Sequence, residues 1–277
     1  MLEPERIDGR RGELSRALRR MRKRAGLTGE NIAFRTGMSQ SKISKIETGK
    51  MVPSSIDVER ILRAAKATPE EIEEISALAR VAHTEYQNWR ASLRRGLHHK
   101  QAELATLEAT SSDFRYFLPA MITGLLQTPE YARASLASLP GDHTRALMRR
   151  FERQSILYDT SKNFTFLLTE QALRWPLCSK GEMSVQLERI AALSELPNVR
   201  IGVLPLDSAT APEGPLSTFT IYDQNLATVE TFTGALLIRS TQDVALYVET
   251  FGLFEEHALF GSAAQDFVRQ AAATFRM

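Results

Sequence analysis

Residues 26–50, GLTGENIAFRTGMSQSKISKIETGK, constrain the chain most, because three glycines punctuate them at Gly26, Gly37 and Gly49. A glycine just past a helical run ends it, since it takes φ > 0 without a Cβ penalty. Between the glycines lie two helical patterns. Thr28 opens the first, which carries Ile32 and Ala33 inward; Ser39 opens the second, which carries Ile43 and Ile46. A Ser or Thr in that place accepts a hydrogen bond from an orphan N–H of the first turn. Helices this short are not stable alone in water, so they must pack into a larger bundle.

The flanking sequence supplies that bundle. A first helix spans about Arg11 to Ala25, with Leu14, Leu18 and Met21 on one stripe and most of its arginines off it. Val52 and Pro53 connect to a fourth helix beginning at Ser54 or Ser55, with Ile56, Ile61 and Leu62 as its expected buried face. Thr68-Pro69-Glu70-Glu71 starts a fifth: a cap, a proline at the first helical position and acids in the first turn. Its inward residues are Ile72, Ile75, Leu78 and Ala79, and the pattern runs on toward Leu97. The expected head is a five-helix domain over residues 1–82.

Charge separates this head from the body of the chain. Residues 1–66 hold 16 Lys/Arg against 8 Asp/Glu, the rest of the chain 19 against 25. A basic head on an acidic body points the head at a polyanion, although arginine-rich helix faces are also simply solvated. Two helices joined by a tight turn inside such a bundle describe a helix-turn-helix unit whose second helix enters the major groove of double-stranded DNA. Ala33 is small enough for the helix crossing, Gly37 makes the turn, and Met38 points back to the core. The outward set on the third helix is Gln40, Ser41, Lys42, Ser44 and Lys45. Glutamine can hold adenine N6/N7 and lysine can donate to guanine O6/N7, so these five are the base-reading candidates. Thr28, Thr48 and Lys50 at helix ends, and Arg35 on the second helix, are the phosphate-contacting candidates.

These residues resemble the lambda-repressor-like, or XRE, regulators over about residues 11–80, with the register continuing through Glu47-Thr48-Gly49-Lys50. The resemblance implies that Gln40, Ser41 and Lys45 read bases and that Thr28, Thr48 and Lys50 approach the backbone. It also implies an ion pair between Arg22 and Glu47. One departure is Gly29, where the family commonly has glutamine.

After Ala82 helical patterns alternate with runs rich in β-branched and aromatic residues: 163–169 (NFTFLLT), 199–206 (VRIGVLPL), 217–222 (STFTIY) and 226–232 (LATVETF). Helices are expected at 129–139, 143–158, 183–196, 243–257 and 263–275. The fold class is thus mainly α, with an α+β C-terminal domain over 83–277. The segments ITGLLQTPEYARA, RRFERQSILYD, LTEQALRWP, MSVQLERIAAL and LPNVRIGVLPL are similar to a large domain of unknown function in actinobacterial regulators of the WhiJ-like, antitoxin-like group. Thr123 stands where that pattern has proline. This resemblance implies transcriptional control and a small BldB-like partner protein, and no catalytic residues.

Other chemistry finds little support. With one cysteine, Cys178, there is no internal disulfide framework, which suits a reducing cytosol. No apolar h-region follows the N-terminus and no run reaches the length of about twenty residues that spans a membrane. The expected location is cytoplasmic and nucleoid-associated. There is no phosphate loop and no G-x-S-x-G elbow. Adjacent helical residues diverge by about 100°, so His98 and His99 are expected to point apart and share no metal. Cys178 lies near Lys180, which lowers a thiol pKa in a redox sensor, though an idle packed thiol is the commoner case. The stretch 114–122 with Tyr131, Trp175 and Tyr222 reads either as an effector pocket or as core, and large aromatics usually fill cores. The expectation is a homodimeric regulator on a near-palindromic operator, without enzyme activity, metal or cofactor, and open to a small-molecule effector. The alternative is an antitoxin-like module that sequesters its partner and autoregulates.

Overall fold

A computed structural model describes residues 4–88, 97–207 and 214–276. The chain divides into two compact units, residues 1–86 with 236–244, and 87–235 with 245–277. Residues 83–86 and 236–244 thus join the unit that contains the five-helix head.

In the first unit the helices are α1 (Pro4–Arg24), α2 (Gly29–Thr36), α3 (Gln40–Glu47), α4 (Ser55–Ala64) and α5 (Pro69–Ala82). α1 is longer than the apolar stripe suggested, because Pro4 suits a first helical position. Its core joins Leu14, Leu18 and Met21 to Ile32, Ile43, Ile46, Val58, Ile61, Leu62 and Ile75, all buried. Met38 packs against this cluster half-buried. Three expectations need correction. Ile56 is 61% exposed and Val58 is buried in its stead. With Ser54 as N-cap, Val58, Ile61, Leu62 and Ala65 make the i, i+3, i+4, i+7 stripe, and Ile56 falls off it. On α5, likewise, Ile72 is exposed while Ile75, Ala79 and Ala82 carry the buried face. α5 also ends at Ala82, capped at His83, instead of running on toward Leu97; part of that expected extension, residues 89–96, lies outside the described residues.

The remaining elements are β1 (Thr84–Asn88), α6 (Leu97–Thr110), β2 (Asp113–Leu118), α7 (Pro129–Leu136), α8 (Thr144–Arg153) with a 3₁₀ turn (Gln154–Tyr158), β3 (Asn163–Thr169), α9 (Glu170–Arg174), α10 (Lys180–Leu193), β4 (Val199–Leu204), β5 (Phe219–Tyr222), β6 (Leu226–Thr231), β7 (Gly234–Ile238), α11 (Thr241–Glu255) and α12 (Gly261–Thr274). They include a mixed seven-stranded sheet in the order β1-β7-β6-β5-β2-β3-β4. β2, β3 and β4 are parallel, whereas β5 runs antiparallel to both β2 and β6. The helical head followed by an α+β region is the expected fold class.

The body's centre is aromatic. Phe114 of β2 stacks on Phe164 of β3 at 4.7 Å, and Phe117 stacks on Phe254 of α11 at 4.4 Å. The stretch after residue 114 is therefore a central strand. Tyr131 and Tyr222 are buried, but Trp175 is 54% exposed, so the four do not line one pocket. Close packing also explains Gly202 on β4: a Cβ there would sit 2.6 Å from Leu167 and 2.7 Å from Phe260.

Candidate nucleic-acid interface

Local capping shapes the two central helices. The Thr28 hydroxyl accepts from the Asn31 N–H at 3.1 Å, and the Ser39 hydroxyl accepts from the Lys42 N–H at 3.1 Å. Gly37 closes α2 at φ 68°, which a Cβ would strain. Met38 N–H then donates to the Ala33 carbonyl at 3.0 Å, turning the chain tightly into α3.

An ion pair holds the unit rigid. Arg22 of α1 grips Glu47 of α3 through two bonds, Nε at 2.6 Å and Nη2 at 2.7 Å, and its Nη1 donates to the Leu27 carbonyl at 2.7 Å. The Glu47 bond, opposed by burial and aided by the Glu47 charge, raises the Arg22 pKa. The two side chains are only 13% and 12% exposed, so α1, the lead into α2 and the end of α3 are tied by one partly buried guanidinium.

With Ile43 and Ile46 inward, α3 turns Gln40, Ser41, Ser44 and Lys45 to solvent. Thr28, Arg35, Thr48 and Lys50 are exposed as well. Among the described residues Arg35, Lys45 and Lys50 are in no ion pair. Thr48 spends its proton on the Ser44 carbonyl at 2.7 Å, leaving its oxygen free only to accept. Lys42 is placed differently from its neighbours: its Nζ reaches Asp57 of α4 at 2.8 Å. Burial works to raise the Asp57 pKa, but hydrogen bonds from Lys42 and Ser54 and the Lys42 charge bring it below the ordinary range. Lys42 therefore fastens α3 to α4. The capping box of Ser54 and Asp57 is the sequence signal that could have revealed this acceptor.

A recess of about 220 Å³ opens beside Gln40, lined by Arg19, Arg22, Gly29, Ser44 and Thr48 among others. A Cβ on Gly29 would meet nothing within 4 Å. The missing side chain at Gly29 therefore leaves space next to a base-reading candidate. Arg19, a second cation at its rim, was not singled out by its sequence setting.

One other sequence-based expectation changes. The His98 and His99 rings lie 4.2 Å apart instead of diverging, because side-chain torsions can bring neighbours together at a helix start. Among the described residues, no three His, Cys, Asp or Glu side chains are placed to hold one metal ion. Cys178 has its pKa raised, first by burial and then by Glu182 and Glu130, the reverse of an activated thiolate. Among the described residues no helix is long and apolar enough to cross a membrane.

Residues 101–270 match the family model described as a domain of unknown function, DUF5753. The chain belongs to the DUF5753 family. In this DUF5753 member, residues 13–75 also match a helix-turn-helix domain model, so the five-helix head is a helix-turn-helix domain. No curated protein matches the chain. Solved structures with some likeness include Nuc, a phospholipase D family member from Salmonella typhimurium, at 9% identity and a TM-score of 0.34, with 58% of this chain and 90% of that chain covered. TrmBL2, an archaeal chromatin protein described as showing a novel mode of DNA binding, has 14% identity and a TM-score of 0.33, with 74% and 66% covered. Neither likeness is close enough to inform fold or activity.

Proposed function

We propose that this DUF5753 protein is a sequence-specific DNA-binding transcription regulator that reads a near-palindromic operator as a homodimer through α3. One observation carries the reading: a helix-turn-helix domain whose α3 presents Gln40, Ser41, Ser44 and Lys45 to solvent while Arg22 and Glu47 lock the helix in place. Glutamine and lysine supply the bidentate and donor contacts that distinguish bases. Thr28, Arg35 and Lys50 surround them as phosphate-positioning groups, Thr48 drops out because its hydroxyl proton is already on the Ser44 carbonyl, and Lys42 helps hold the helix. A single such head buries a modest interface, so two half-sites about 10 bp apart give useful specificity. The reading includes no catalytic step, metal or cofactor, and places the protein with the nucleoid.

Selection of bound duplexes from a random pool tests it. Enrichment of a symmetric motif is the expected result; enrichment of no motif overturns it. The second reading, an antitoxin-like module holding a small BldB-like protein, draws on the full exposure of Leu216 and Phe232. Co-purification of one stoichiometric small protein would favour it.

A further inference from the structure

Three elements bound the recess beside Gln40: α1 through Arg19 and Arg22, the start of α2 through Gly29, and α3 with its C-cap through Gln40, Ser44 and Thr48. Positions 40, 44 and 48 are four apart, so they form one flank of α3. The charges lining the recess do not cancel. Arg22 and Glu47 are bound to each other by two hydrogen bonds, which leaves that pair close to neutral. Arg19 is the charge left over. It is exposed, and it is in no hydrogen bond or ion pair among the described residues.

The α1 stripe places this charge. Ser15, Arg19 and Arg22 fall at i, i+4 and i+7. Both ends of the stripe meet the C-terminal end of α3: a Cβ on Gly49 would stand 3.6 Å from the Ser15 hydroxyl, and Arg22 holds Glu47. Arg19 lies between these two contacts, at the open recess. Gly29 puts no side chain into that space, and a Cβ there would meet nothing within 4 Å. Thr48, on the α3 wall, has given its proton to the Ser44 carbonyl and has no donor to offer an anion.

An α-helix with its side chains is about 10–12 Å across, and the major groove of B-DNA is about 12 Å wide. A helix seated there has its two flanks against the sugar–phosphate walls. For α3 one flank is the row of Gln40, Ser44 and Thr48, which is also the wall of the recess. A phosphate on that side then meets an uncompensated guanidinium, whose planar fork matches phosphate oxygens. We propose that Arg19 of α1 is a backbone-positioning residue of the DNA interface: its guanidinium binds one phosphodiester of each half-site in this recess, as the donor that Thr48 is not. The inference rests on the DNA-binding reading and adds a third helix to it. α1 grips the duplex directly as well as holding α3 through Arg22.

The test uses the full chain and the tightest duplex selected from a random pool, or the pool itself if no motif is enriched, in which case the salt slope alone decides. Fluorescence anisotropy is read over a range of salt concentrations for the parent, Arg19→Ala and Arg19→Lys. A second series replaces each phosphate of the duplex in turn by an uncharged methylphosphonate. Arg19→Ala should weaken every duplex alike, by about tenfold at low salt, and lower the salt slope by about 1 for each head bound. Its base preferences and Tm should match the parent's. Arg19→Lys should restore the slope, because it keeps the charge. One phosphate in each half-site should matter to the parent and cease to matter in Arg19→Ala. The proposal is overturned if Arg19→Ala keeps the parent's slope, or if no phosphate loses its effect in that variant. It is also overturned if millimolar inorganic phosphate raises the Tm of the parent but not of Arg19→Ala while both bind duplex equally, since the recess would then serve a free anion. Should Arg19→Ala fail to fold, Arg19→Gln takes its place. A parent that binds no duplex ends the regulator reading and this inference together, whereas an unchanged Arg19 variant ends this inference alone.

Discussion

At the scale of the residue, the proposed interface sorts into side chains placed to read and side chains that hold. Gln40 and Lys45 are exposed, so replacing either by alanine should relax base choice at one operator position and cost about 1–3 kcal/mol in binding. Fluorescence anisotropy against single-base operator variants measures both effects. Lys50→Ala should instead weaken all duplexes alike and reduce the salt slope by about 1. Asp57 holds rather than reads. Its pKa is lowered in the folded chain, so its contribution is complete above the unfolded value of about 3.9 and is lost as the pH falls through the lower folded value. Thermal melts from neutral pH downward should show Asp57→Asn less stable than the parent at neutral pH, with the gap closing in acid. An Asp57→Asn variant whose deficit stays constant into strong acid would show that the Lys42 bond contributes no linkage.

At the scale of the element, caps and close approaches decide where helices and strands stop. α5 begins with a full capping box, in which Thr68 and Glu71 each bond the other's backbone. Arg24 bonds the same Glu71 carboxylate, and together with the Thr68 N–H holds its pKa at about 2. Thr68→Ala should cost about 1 kcal/mol of stability, visible as a lower denaturation midpoint with an unchanged slope. On β4, Gly202→Ala pushes a Cβ into Leu167 and Phe260 and should cost about 1–3 kcal/mol in the same measurement. A neutral outcome there would mean that Phe260 swings aside.

At the scale of the whole molecule, charge is the property with consequences for binding. The basic residues concentrate in the first 66 positions while the body carries the acidic excess. Operator affinity should therefore fall steeply with ionic strength, with a slope of about 0.9 for each phosphate neutralised. An affinity insensitive to salt would argue that the basic head does not lie on the phosphate backbone. The proposed homodimer is checked by sedimentation of the full chain, alone and with duplex.

What the sequence determined by itself was the local part. Thr28, Gly37, Ser39, Gly49 and Thr68 act through hydrogen bonds and dihedral preferences that span three or four residues, so their helix ends could be read in order along the chain. The 163–169 strand was legible from its β-branched and aromatic run, and α3's polar outer face from its helical spacing. Long-range pairing was decided only in three dimensions. The strand Gly234–Ile238 gave no separable signal because a nearly continuous buried apolar run has no two-residue alternation to read, and Asp113–Leu118 lay within a stretch read as pocket or core. Lys42 looked outward until α4 brought Asp57 to it, fifteen positions away. Such contacts depend on which distant segments meet, and that is set by the free energy of the assembled core, not by any short window of residues.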